Sequence, residues 1–171
     1  MMPRTFEPIA SQTLGSNSAS VSFSSIPGGY TDLRLVISAK TSDATSQVLA
    51  MRLNSDTGTN YSYTRLYGNG SSASSDRTSS ASRIDVGFMA NSSSDRSHSF
   101  IDIMSYANTN VFKTVLTAWE SQGSSGTNVQ FVLRQVGLYR STSAITAISF
   151  AFDAGNVVSG STFSLYGIKA A

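Results

Sequence analysis

A chain of 171 residues is long enough for one domain with a substantial buried core. Charged residues make up 13% of it and the net charge is +2, with the arginines scattered; that is too weak to argue for a nucleic-acid backbone binder, which needs clustered cations to displace counterions. There is no cysteine, which excludes disulfide frameworks and thiolate metal centres.

The opening MMPRTFEPIASQT has no apolar stretch of the signal-peptide kind, so no secretory signal is read there. It does contain Pro3 and Pro8, and proline cannot donate to a strand ladder. Residues 1–12 are therefore predicted to form an arm ahead of a domain at 13–171, with Pro3, Arg4, Phe6, Pro8 and Ile9 as candidate contacts to a neighbouring subunit. Period-two alternation then takes over, and no long segment has helical period. ASVSFSSI places Ala19, Val21 and Phe23 on one face; TDLRLVISA does the same with Leu33, Leu35, Ile37 and Ala39. QVLAMRLN aligns Leu49, Met51 and Leu53, YSYTRLYG aligns Tyr61, Tyr63 and Tyr67, and SRIDVGFMA aligns Ile84, Val86 and Phe88. SFIDIMSY is apolar on both faces, which predicts a central strand. KTVLTAWES carries Val115 and Trp119, and NVQFVLRQVGLYR turns Val129, Phe131 and Leu133 inward. AITAISFAFD aligns Ile148, Phe150 and Phe152, and STFSLYGIK aligns Phe163 and Leu165.

Turn signals separate these runs: PGG at 27–29, DTGTN at 56–60, GNG at 68–70, GSSG at 123–126 and DAGN at 153–156. Ten short strands with frequent turns predict an all-β sandwich, jelly roll or barrel, and no internal repeat supports a propeller. The expectation is an antiparallel β-sandwich of jelly-roll type. Residues 68–83, GNGSSASSDRTSSASR, are too polar to bury and too long for a tight turn. They read as a loop, either solvated or ordered against a neighbour.

Chemistry leaves few traces. The single histidine, His98, has many serines within conceivable reach and no specific partner, so it defines no triad. The only glutamates are Glu7 and Glu120, and nothing in their spacing favours a carboxylate pair across a cleft. Asn54, Asp56 and Asn60 around Gly58 faintly echo a calcium loop, but the glycine is displaced and the closing glutamate is missing. No catalytic, cofactor or metal site is therefore expected. Tyr61, Tyr63 and Trp119 are candidate flat faces for stacking a sugar, although Trp119 shares a face with Val115 as a core residue would.

Three stretches together resemble a family of tailed-bacteriophage virion proteins. FEPIASQTLGSNSASVSFSSIPGGYTDL is similar to that family's opening, LNSDTGTNYSYTRLYGNGSS to its N-x-D-x-G-x-N-Y-S motif, and GSTFSLYGIK to its closing strand. Residues 73–110 match least well. The resemblance implies a β-sandwich virion subunit without enzymatic activity: a capsid decoration or cement protein, bound to the major capsid protein or other virion proteins by its arm and loops. The alternative it leaves open is a tail-fibre module that recognises a host surface glycan. It also implies a homotrimer and assembly in the host cytoplasm; no run approaches 18 apolar residues, so no membrane span is read, and no cofactor or nucleic-acid partner is expected. Self-association has a physical motive as well, since only Lys40, Lys113 and Lys169 are available to guard open sheet edges.

Overall fold

A computed structural model of the chain describes residues 5–91, 96–122 and 130–169. Twelve strands run in chain order: β1 (Phe6–Thr13), β2 (Ser20–Phe23), β3 (Asp32–Ala39), β4 (Gln47–Leu53), β5 (Tyr61–Gly68), β6 (Ala73–Ala81), β7 (Ile84–Met89), β8 (Ser97–Met104), β9 (Lys113–Gln122), β10 (Gln130–Tyr139), β11 (Ile148–Phe152) and β12 (Thr162–Ile168). The larger sheet has eight strands in the order β1-β12-β3-β8-β9-β10-β5-β6, and the smaller has four in the order β2-β11-β4-β7. Every pairing is antiparallel, so the chain forms an all-β antiparallel sandwich with unequal layers.

The alternation in the sequence becomes a layer of side chains between the sheets. Leu33, Leu35, Ile37, Ile101, Ile103, Phe163 and Leu165 of the larger sheet are fully buried against Leu49, Met51, Ile84, Val86 and Phe150 of the smaller. The rings of Phe150 and Phe163 meet across the interface at 5.4 Å between centroids. Each fully buried side chain of this size is worth about 1.5–3 kcal/mol of transfer free energy. Polar bonds also tie the layers: Ser99 Oγ donates to the Val86 carbonyl at 2.8 Å, and Gln135 Nε2 donates to the Asp85 carbonyl at 2.9 Å.

Two segments differ from expectation. Residues 6–12 are not an arm. They belong to β1, which pairs with β12 from Phe6 opposite Ile168 to Thr13 opposite Thr162. The proline objection fails because β1 is the outermost strand and its register slips between Pro8 and Ala10, where a missing donor costs no ladder bond. Ile9 packs against the core, Phe6 is exposed, and Pro3 and Arg4 lie outside the described residues. Nor is 68–83 a loop throughout: Ala73–Ala81 is β6, the other outermost strand, paired with β5 and pinned by Arg65 Nε on Asp76 at 2.7 Å.

Smaller differences have local causes. Ala19 is exposed beside the isolated bridge of Ser18 to Val157, ahead of β2. Phe88 points outward because β7 sets Val86 and Gly87 against the single residue Leu49, a bulge that passes the inward position to Met89. Phe131 is half-buried rather than core, and Val129 and the GSSG turn lie outside the described residues.

Candidate functional site

The smaller sheet covers one face of the larger, and the opposite face is open. Its side chains come from alternate positions of the strands, lined up by register. One row across the sheet runs Val36, Phe100, Ala118, Arg134, Leu66 and Ser75 from β3 to β6. The next runs Arg34, Asp102, Leu116, Val136, Thr64 and Arg77. The row on the other side contains His98, Glu120 and Val132. These positions would ordinarily be polar on a solvated sheet face. Here Leu66 is 63% exposed, Val132 59%, Val136 55% and Phe100 45%, with Leu116 and Met104 also open.

The apolar positions line a shallow depression of about 640 Å³ on this face, bordered by Arg34, Asp102 and Arg134. The Arg34 guanidinium makes a forked pair with Asp102, through Nε at 2.6 Å and Nη2 at 2.7 Å. The bond from Asp102 raises the Arg34 pKa despite partial burial, so the pair stays ionised and locks two neighbouring strands. Arg34 also lies over the Phe6 ring, 5.4 Å from its centroid. Arg134 and Glu120 have no ion-pair partner among the described residues. His98 stands opposite Glu120 on this face, beside a second depression of about 410 Å³.

The sugar-stacking set does not lie on this face. Tyr61, Tyr63 and Trp119 are almost completely buried between the sheets, so none offers a ring to a ligand. Tyr61 stacks on Tyr139 at 4.8 Å, and burial drives its pKa well above the ordinary phenol range. Tyr63 donates to Asp85 Oδ2 at 2.7 Å. Trp119 fills the space over Gly87, where an added Cβ would stand 2.3 Å from Cδ1 of the indole.

The segment with a faint calcium-loop pattern is a hydrogen-bonded turn. Asp56 accepts the Gly58 N–H at 2.7 Å and Asn60 Nδ2 at 2.8 Å. Asn54 holds the chain ahead of β11 instead, accepting the Thr146 N–H at 2.8 Å and donating to the Ala144 carbonyl at 2.8 Å. The Tyr61 hydroxyl closes the turn from inside, accepting the Leu53 N–H at 3.1 Å. Among the described residues, no group of three or more His, Cys, Asp or Glu side chains is arranged to hold a metal ion.

What the sequence did not yield was the open face itself. The signal was present in SFIDIMSY, apolar on both sides, but that pattern equally describes a strand covered twice.

No family model matches the chain, and no curated protein matches it. Among solved structures it is similar to a GH43 glycoside hydrolase engineered for both endo-xylanase and exo-arabinofuranosidase activity. That likeness has 11% identity and a TM-score of 0.35, over 92% of this chain and 36% of that one. It is also similar to domains LG4-5 of the mouse laminin alpha1 chain, at 12% identity and a TM-score of 0.31, over 91% of this chain and 40% of the other. The chain thus spans well under half the length of either, and likeness at this level says nothing of what it binds or does.

Proposed function

We propose that this chain is a non-enzymatic structural subunit of a tailed-phage virion, serving as a capsid decoration or cement protein. The observation that carries the reading is the open face of the larger sheet. Exposed apolar patches that extend over neighbouring strands mark surfaces made to be covered by another molecule. Here the patch spans β8, β9, β10 and β5. A subunit of an assembled shell has such a surface by necessity. The resemblance of the opening, middle and closing stretches to virion proteins points the same way. Attachment through a free N-terminal arm is no part of this proposal, because residues 6–13 are committed to β1.

The test is location. Gold-conjugated antibody against this protein, applied to intact particles, should label the capsid surface. Label confined to the tail would favour the glycan-recognising fibre module, and absence of the protein from purified particles would overturn the virion reading altogether.

A further inference from the structure

We infer that the open face of the larger sheet is covered by a second copy of this chain, packed face to face about a twofold axis that runs parallel to the strands between β9 and β10. The inference rests on reading that face as an assembly surface and names its occupant.

The register carries the argument. A half-turn about such an axis exchanges β9 with β10 and β8 with β5 while keeping each row opposite itself. In one row it sets Phe100 against the second copy's Leu66, and in the next it sets Leu116 against the second copy's Val136. The four large apolar side chains at the centre of these two rows therefore meet one another, while Val36 at the edge meets the second copy's Ser75. Symmetry makes each contact twice, as an isologous interface requires.

The charges fit the same operation. It lays Ala118 under the second copy's Arg134 and Val132 under the second copy's Glu120. Arg134 is then two residues along the strand from the second copy's Glu120, about 7 Å along the strand and ~10 Å across the sheet gap, a separation that the two extended side chains span together. Both groups are without an ion-pair partner among the described residues of the single chain. At the edge of the same row as Leu116 the second copy's Arg77 comes over Arg34, and Asp102 on the neighbouring strand is the carboxylate beside the two guanidiniums.

Size is sufficient. The face from β3 to β6 is six strands wide. At ~4.8 Å per strand and about seven residues of ~3.3 Å each, it offers roughly 650 Å² of flat area before side-chain relief. Stable interfaces bury about 600–1,000 Å² per partner, and this face falls at the lower end of that range. Two sheets packed this way also stand at the ordinary aligned sandwich angle, so no new geometry is needed.

The experiment is light scattering on the purified full chain across a concentration series. The expected result is a mass twice 18.1 kDa. Leu116→Asp, an outward-facing change, should give a monomer whose circular dichroism is unaltered. Arg134→Glu and Glu120→Arg should each weaken association about tenfold or more, and the two together in one chain should restore it. A monomer at every concentration overturns the inference. So does a trimer, or a dimer indifferent to Leu116→Asp. Particle labelling is independent of this result, so failure of the pairing and failure of the virion reading are told apart.

Discussion

Lys113 is fully buried and has no ion-pair partner among the described residues. Its ammonium instead donates to three carbonyls, those of Asn108, Val111 at 2.7 Å and Thr142 at 3.1 Å. Burial lowers its pKa, while three carbonyl partners use all three of its N–H groups. Removing it strands those acceptors, so Lys113→Met should cost about 3 kcal/mol in chemical denaturation, although methionine fits the space. Asp56 argues the opposite sign. The Asn60 and Gly58 donors hold its carboxyl below the ordinary value of 3.8. The unfolded chain takes up that proton more readily than the folded one. The turn's contribution is thus complete above about pH 4 and is lost as pH falls through the lower folded value. Melting temperature should fall on acidification over that range, and Asp56→Asn should show a shallower acid limb. Gly87 is a matter of space: Gly87→Ala drives a methyl into the Trp119 ring and should cost about 3 kcal/mol, read as a lowered denaturation midpoint.

At the scale of elements, the opening and closing stretches of the sequence meet in space. β1, from the opening stretch, pairs with β12, from the closing one. Lys169 reaches Glu7 at 3.0 Å, and its ammonium lies 5.5 Å from the centroid of the Tyr30 ring. That ring covers Gly167, where a Cβ would stand 2.3 Å away. The glycine of SLYGIK and the tyrosine of PGGYTDL are thus two halves of one packing contact. Deleting residues 1–13 removes β1 whole and leaves β12 as a bare edge. The truncated protein should melt earlier and aggregate on heating, visible as light scattering, where loss of a loose arm would leave melting unchanged. β1 and β6 escaped the sequence pattern for related reasons. Pro8 suits an edge bulge as well as an arm, and β6 is so exposed that its serines carry no apolar alternation. An edge strand held by backbone bonds to one neighbour needs no buried face, and periodicity reports only buried faces.

For the whole molecule, alternation was enough to read the sandwich because each inner layer is built from period-two positions such as Leu33, Leu35 and Ile37. Phe163→Ala, which empties a fully buried site opposite Phe150, should cost about 3–5 kcal/mol of unfolding free energy. Partition between the sheets was not legible, since pairing β10 with β5 and β12 with β3 joins residues far apart in the chain. The candidate face depended on that partition. Phe100 sits in a run apolar on both faces and Leu116 on the side opposite the inward Val115 and Trp119, and only an eight-strand layer opposed by four leaves them both uncovered.

The pairing of β1 with β12 has a mechanical side. Phe6 lies opposite Ile168, and the Lys169 N–H donates to the Thr5 carbonyl at 3.1 Å, so Thr5 and Lys169 sit at the same end of the strand pair. Tension applied between Thr5 and Lys169 loads the ladder one bond at a time, peeling it like a zipper from Thr5 inward. Tension applied instead between Thr13 and Lys169 pulls along the strands and loads the whole ladder in shear. Pulling between Thr5 and Lys169 should therefore detach β1 at low force while the remaining layers stay folded.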